Sequence, residues 1–358
     1  MKNKVIIYGA GFFGRQIKNI LEKNNCEVLY FIDKDKDKIG RYIDNTLCIS
    51  INNAILTENF KAKTTCLIGI FNDKVNLWDI EKMLFNAGFS KIINPIKFYQ
   101  DFSDNMHDID DYFWLTKNNM EPEHKGIIEN IEKVWSDEHS VKLFNKILEY
   151  KQTGKLDILP PPNECSEQYC PKDIDLNLMN VNLIDCGAYN GDSIYEISKN
   201  FNLLSVVAFE ASPMNFISLS EFVRKTDINC FLFPCAVWDK FEILRFNNNS
   251  SRSSSNHIDM NADSFATAVS IDESLLNYPA NYIKMDIEGA ELNALKGAEK
   301  LIKKYKPALA ISVYHKYNHL YEIPYLIKSW NLGYKLYLRM YAYNAFEIIC
   351  YAVPDKFL

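Results

Sequence analysis

Two glycine turns and a set of acids that follow apolar runs carry the residues of this chain that could do chemistry. The first turn, "VIIYGAGFFGRQI" (5–17), spaces Gly9, Gly11 and Gly14 as G-x-G-x-x-G directly after an apolar run. Glycine at the first place permits a tight turn, and at the second it lets backbone approach a pyrophosphate. At the third it lets a helix pack on a strand. Phe12 opens that helix, whose first amides would face the phosphates. Asp33 closes the next apolar run 19 residues after Gly14, where an acid can hold ribose hydroxyls. The same spacing also suits a nucleotide fold that keeps its glycines for packing alone.

The second turn, "LIDCGAYNGDS" (183–193), departs from that pattern. Gly187, Ala188 and Gly191 shape it, but bulky Tyr189 stands where a pyrophosphate loop wants glycine. Asp185 sits just before the turn, where it would repel phosphate and suit a cationic amino group. Glu210 closes the following run 19 residues after Gly191, again placed for a ribose. A ribose joined to a positively charged amino acid moiety, without phosphate, describes S-adenosylmethionine. The two turns are therefore read as holding different ligands.

The run "YIKMDIEGAELNALKGAEKLIKKYKPALAISVYHK" places Asp286 and Glu288 at the exit of a buried strand, before a glycine turn into a helix. Ligands of open parallel sheets bind at the carboxyl ends of strands, so Asp185, Glu210 and Asp286 are expected to converge on one crevice. Negative charge there would attract a sulfonium. Alternatively, Asp286 and Glu288 cap the following helix, and Glu291, one turn in, reads as a capping partner. His315 follows the next strand. With an ordinary pKa near 6.5 it suits the removal of a hydroxyl proton during methyl transfer. Asp286 is the rival base, and a loop histidine that only hydrogen-bonds locally is the plainer alternative.

The elements that must position these residues alternate between strands and helices in both halves, which implies parallel sheets covered on both faces. The expected fold class is α/β: two Rossmann-like parallel-sheet domains joined by a helical connector, the C-terminal one of class I methyltransferase type. The expected boundaries are 1–100, 101–160 and 161–358. "NCFLFPCAV" reads as one strand, and a single helix is expected from Ala290 to about Lys304. The polar stretch 247–261 reads as a surface loop or a lid between two strands. "GYKLYLRMY" and "EIICYAV" read as a late antiparallel pair closing the sheet.

At 358 residues and a formal charge of −6, the chain lacks the basic surface that a nucleic-acid binder needs. Its nine cysteines are scattered without a C-x-x-C pair and read as reduced core thiols, so no disulfide framework and no metal site are expected. No run of 18 apolar residues or leader-like segment occurs, which points to a cytoplasmic protein without a membrane span.

The combination "LIDCGAYNGDS … VVAFEAS … CAVWD … VSIDE … YIKMDIEGAELNALKGA" resembles the FkbM-type S-adenosylmethionine-dependent methyltransferases, over roughly residues 165–353. The resemblance implies that Asp185, Gly187, Gly191 and Glu210 bind cofactor, with Ala236 and Val237 near the adenine. It puts Asp286, Glu288 and His315 at the transfer site. It also implies O-methylation, here expected on a hydroxyl of a sugar or other small-molecule or glycan acceptor. The N-terminal domain lies outside that core and resembles a Rossmann unit that binds a nucleotide such as NAD or a nucleotide sugar. An NAD-dependent oxidoreductase or a nucleotide-sugar-binding protein working through Gly9, Gly11, Gly14 and Asp33 is the alternative. No Y-x-x-x-K pair or hydride-site histidine follows the first loop before residue 100 to support the oxidoreductase. A binding module with both turns vestigial, and the homo-oligomeric state, are left open.

Overall fold

The computed structural model describes residues 4–102, 126, 130–247, 257–258, 262–275 and 277–355, with the backbone alone at His257. The acidic stretch after residue 102, part of the helix expected in "HKGIIENIEKVW", and the polar stretch 248–256 lie outside them. Two compact units emerge. One holds the described residues of 1–119, 145–161 and 342–346, the other those of 120–144, 162–341 and 347–358.

The first unit has a six-stranded sheet: β1 (Lys4–Tyr8), β2 (Glu27–Ile32), β3 (Tyr42–Ile43), β4 (Thr46–Ile49), β5 (Thr65–Ile68) and β6 (Lys91–Ile93), in the order β3-β4-β2-β1-β5-β6. All pairs are parallel except β3 with β4. β1 and β5 are central and nearly all apolar, as strands buried on both faces must be. The helix Phe12–Lys23 buries Phe13, Ile17, Ile20 and Leu21, spaced to lie on one face.

The second unit contains a seven-stranded sheet and a smaller one. In chain order the strands are β7 (Asn180–Cys186), β8 (Asn202–Phe209), β9 (Cys230–Phe233), β10 (Ala236–Val237), β11 (Glu242–Asn247), β12 (His257–Ile258), β13 (Ser264–Val269), β14 (Tyr282–Met285), β15 (Ala308–Ser312), β16 (Lys335–Met340) and β17 (Ile348–Val353). The large sheet runs β16-β17-β15-β14-β7-β8-β9. β17 is antiparallel to both of its neighbours, so it alone opposes the rest. From β7 the chain builds outward to β8 and β9, then returns to add β14 and β15 on the other side. The switch point therefore falls between β7 and β14, where open α/β sheets bind ligands. Val181, Leu183, Val206, Ala208, Tyr282, Ala308 and Ala310 form the core across these strands.

Two expectations need correction. "NCFLFPCAV" is two strands rather than one: β9 joins the large sheet, whereas β10 joins the small sheet β10-β13-β11-β12. Pro234, which lacks an amide hydrogen, lies between them. The helix after Asp286 is also two, Glu291–Lys296 and Glu299–Tyr305. The break falls at Gly297, where a Cβ would lie 2.1 Å from the Trp238 carbonyl oxygen. That backbone-to-backbone approach takes precedence over helix continuity.

Candidate active site

The turn after β7 is built by glycines that packing demands. Gly187 has φ +79°, and a Cβ on it would sit 1.9 Å from the carbonyl oxygen of Asp286. This contact brings the exits of β7 and β14 together. Gly191, at φ +91°, presses against the Phe222 ring. Between them Tyr189 takes a left-handed conformation, φ +48°, which costs a non-glycine residue about 1–3 kcal/mol.

Glu210 holds this turn from the end of β8. Its Oε2 accepts the Tyr189 amide at 2.9 Å, and its Oε1 accepts the Ser212 amide at 2.8 Å. Burial raises its pKa, and those amide donors offset part of the rise. Ala188 is fully buried, and its amide donates to Phe209. Ala236 and Val237 form β10, which follows β9 directly, and the Glu210 amide donates to the β9 carbonyl of Phe233.

Asp185 differs from its expected role of facing a ligand's amino group. It is fully buried, and the cation it meets is Lys284 of the same chain, Nζ to Oδ1 at 3.0 Å. Its Oδ2 accepts the Ser193 hydroxyl at 2.5 Å. Lys284 also donates to the Gly187 carbonyl at 2.6 Å and lies 5.4 Å from the centre of the Tyr169 ring. The pair thus braces the glycine turn from beneath. A lysine inside an apolar strand gave little sign of this in the sequence.

At the strand exits, Asp286, Glu288 and His315 do come together. His315 Nε2 lies 3.4 Å from Asp286 Oδ1 and 3.5 Å from Glu288 Oε2. Neither acid caps the following helix, which has Ala290 at its N-cap and no side-chain cap. Glu291, the first helical residue, instead ties down the turn before the helix: its Oε1 accepts the amides of Ile287 at 3.0 Å and Gly289 at 3.3 Å. The same oxygen meets His315 Nδ1 at 2.8 Å, and Oε2 meets His319 Nδ1 at 3.1 Å. His319 opens the helix His319–Ser329 and is buried. Glu288 sits at φ +53°, a strained backbone position at the site itself.

Further partners come from segments distant in the chain. The Tyr169 hydroxyl donates to Asp286 Oδ2 at 3.0 Å, and Gln168 Nε2 donates to Tyr169 at 3.2 Å and to Glu347 at 2.6 Å. The Tyr314 hydroxyl donates to the other Glu347 oxygen at 3.0 Å.

Charge in this cluster is crowded. Burial alone would lower the pKa of His315, but Glu288, Glu291 and Asp286 outweigh it and hold the ring up to about 10. The surrounding carboxylates favour the charged ring, which weighs against the base role that its ordinary pKa suggested. Burial pushes Glu288 up to about 8 and Glu347 to about 7, with Asp286 adding to both. Glu291 is held well below the carboxylate range: burial would raise it, and His315 and His319 reverse that.

The N-terminal turn shares part of this design. Gly9 has φ +109°, and a Cβ on Gly14 would meet the Gly9 carbonyl oxygen at 2.0 Å. Gly11 differs: its φ of −84° is ordinary, and nothing lies within 4 Å of where its Cβ would be. Phe12 begins the helix and is half exposed, and that helix has no side-chain cap. Asp33 Oδ2 accepts the Ala10 amide at 2.9 Å and meets Lys38 at 3.2 Å. Burial opposes its ionisation, but the amides of Asp35 and Ala10 together with Lys38 keep its pKa below the usual value.

Comparison with known proteins fits this geometry. The family model of the methyltransferase FkbM domain matches residues 185–343, and that of the C2185-like N-terminal domain matches residues 1–62. The solved FkbM methyltransferase of Methylobacillus flagellatus KT aligns with a TM-score of 0.76 at 19% identity. That alignment covers 98% of this chain and 90% of the other, so the two share a fold. UDP-D-quinovosamine 4-dehydrogenase of Vibrio fischeri aligns at 23% identity over 26% of this chain and 78% of its own, TM-score 0.22. An rRNA methylase of Streptococcus thermophilus aligns at 14% identity over 51% and 92%, TM-score 0.33. No curated protein matches. Among the described residues, no helix is long and apolar enough to cross a membrane. Residues 185–343 are an FkbM methyltransferase domain, and the chain is an S-adenosylmethionine-dependent methyltransferase.

Proposed function

We propose that the enzyme methylates a hydroxyl of a sugar or glycan precursor in the cytoplasm. The observation that carries this reading is the meeting of Asp286, Glu288 and His315 beside the Gly187 turn, at the switch point of the sheet. Gly187, Ala188 and Gly191 would cradle the cofactor. Glu210 would hold the turn and take a ribose hydroxyl, with Ala236 and Val237 near the adenine. Asp185 serves through Lys284 rather than by touching the ligand.

The acceptor oxygen attacks the methyl carbon in line with sulfur. A C–O bond forms as the C–S bond breaks, the electron pair stays on sulfur, and S-adenosylhomocysteine is left. The hydroxyl proton passes to the Asp286–Glu288 carboxylate pair, while His315 fixes the two acids. Holding the two reactants in line turns the encounter into an internal step and so lowers the barrier.

The N-terminal turn is proposed to bind a phosphate-bearing nucleotide such as NAD or a nucleotide sugar, and Gly11 supports this. Packing explains Gly9 and Gly14, but it gives no reason for glycine at position 11. Close approach of a ligand does.

The test is calorimetric titration with S-adenosylhomocysteine, wild type against Glu210→Ala, followed by transfer of labelled methyl to a panel of nucleotide sugars and glycans. Micromolar binding lost in the variant is expected. Turnover only on amine or carbon acceptors would overturn O-methylation.

A further inference from the structure

We infer that the gap between Asp286, Glu288 and Nε2 of His315 is a divalent-cation site that holds the acceptor oxygen. The inference rests on these residues forming the transfer site. His315 Nε2 stands 3.4 Å from Asp286 Oδ1 and 3.5 Å from Glu288 Oε2. Normal N–H···O bonds span about 2.7–3.2 Å. Donors around an ion with bonds of about 2.1 Å stand roughly 3.4 Å apart when tetrahedral and closer when octahedral. The two separations from Nε2 match edges of a coordination shell.

The nitrogen itself points to a ligand. The His315 side chain is 6% exposed, and its Nε2 is buried with no hydrogen-bond partner. Its other ring nitrogen, Nδ1, is engaged by Glu291 at 2.8 Å. A cation arriving between the acids would displace the Nε2 proton, and with Nδ1 donating its hydrogen to Glu291 the ring would then present a lone pair, the arrangement by which proteins orient metal-binding histidines.

Both oxygens of Glu291 already face partners within the protein. One oxygen takes two backbone amides and His315, and the other faces His319. Although Asp286, Glu291 and His315 offer donor atoms within 4.8 Å of one another, Glu291 is therefore the outer partner. Asp286 is likewise oriented, because Tyr169 occupies Oδ2 and leaves Oδ1 toward Nε2. The open side is formed by the carboxylates, 20% exposed at Asp286 and 29% at Glu288. A cation could enter there, and a hydroxyl or water could complete its shell. One nitrogen and two carboxylates suit manganese, zinc or magnesium, with manganese the most readable probe.

The experiment uses full-length protein dialysed against a chelator, titrated with Mn²⁺ by calorimetry and followed by electron paramagnetic resonance. One ion per chain with micromolar or tighter affinity is expected. Glu288→Gln and His315→Gln should each weaken it, and Glu291→Gln should weaken it by about 10–100-fold through ring orientation. S-adenosylhomocysteine is titrated into the same samples, so that a variant still binding it is known to be folded. If the wild type binds S-adenosylhomocysteine but takes up no saturable Mn²⁺, the cation site is overturned while the methyltransferase assignment stands. Equal Mn²⁺ affinity in all variants overturns it too. Mn²⁺ binding that Glu288→Gln alone weakens, should the other variants not fold, supports it.

Discussion

The two glycine turns use one device at one point and diverge at the next. In each, the acid ending the second strand accepts a backbone amide of the turn: Asp33 from Ala10 and Glu210 from Tyr189, both at 2.9 Å. The divergence lies across the switch point. Beside the first turn, the exit of β5 is Gly69, where a Cβ would lie 2.9 Å from Gly14 Cα. Beside the second, the exit of β14 is Asp286, leading into Glu288 and the histidines. The first turn has only glycine backbone at the neighbouring strand exit. The second has, next to it, groups that can manage charge. An acid thus ties down both glycine turns, and the two differ in whether the neighbouring strand exit carries titratable groups.

The largest effect should come from the brace found only under the second turn. Lys284→Met leaves Asp185 buried and unpaired, which should cost about 3–5 kcal/mol. For a unit of this size that is a fall in melting temperature of roughly 10 °C or more. The double variant with Asp185→Asn should recover much of it, read by thermal melts. If Lys284→Met melts like wild type, the pair is not what holds the turn.

Next comes Gly187→Ala. Its Cβ would overlap the Asp286 carbonyl at a φ of +79°, so the turn and the strand exit must separate. We expect affinity for S-adenosylhomocysteine to fall about 100-fold, an energy near 2.7 kcal/mol, measured by calorimetry. Unchanged affinity would mean that the cofactor does not depend on this junction.

What the sequence revealed of this comparison was its local part. Gly9, Gly14, Gly187, Asp33, Glu210 and Asp286 all follow apolar runs at fixed spacing, and the strand–helix alternation that positions them is also a local pattern. What stayed hidden was set by distant packing. Tyr169 reaches Asp286 across 117 positions, and Gln168 reaches Glu347 across 179. Lys284 sits in a run that otherwise reads as plain core, and its purpose appears only when β7 pairs beside β14. His319 needed the fold of the loop after β15 to meet Glu291. Gly297 broke a helix because the backbone at Trp238 and Asp239 lies against it, a contact with no local pattern. The base role of His315 was inferred from an isolated imidazole, and three surrounding carboxylates changed the premise.

A pair of alanines sharpens the comparison at the first turn. Gly14→Ala forces a Cβ to within 2.0 Å of the Gly9 carbonyl and should destabilise by about 1–3 kcal/mol through overpacking. Gly11→Ala meets open space at an ordinary φ and should leave stability within about 0.5 kcal/mol. If the turn is a ligand seat, Gly11→Ala should nonetheless lose binding of NAD or nucleotide sugars in a thermal-shift panel. Equal ligand responses in wild type and Gly11→Ala would reduce the first turn to a packing motif.

The smallest effect concerns the shared acid. Asp33 is partly exposed, and its pKa is held below the unfolded value, so its ionised form favours the folded state. The sign follows directly. Its contribution is complete above the unfolded aspartate value of about 3.9 and is lost as pH falls through the lower folded value. Asp33→Asn should therefore melt slightly earlier than wild type at neutral pH, by under about 1 kcal/mol because solvent screens the Lys38 pair. The difference should shrink only in acid, once wild-type Asp33 also takes up a proton. Thermal melts of both proteins between neutral pH and pH 3 decide it. Equal melting of the two proteins at neutral pH would show that Asp33 holds the Ala10 amide by its shape, as asparagine does, and not by its charge. The resemblance between Asp33 and Glu210 would then be geometric alone.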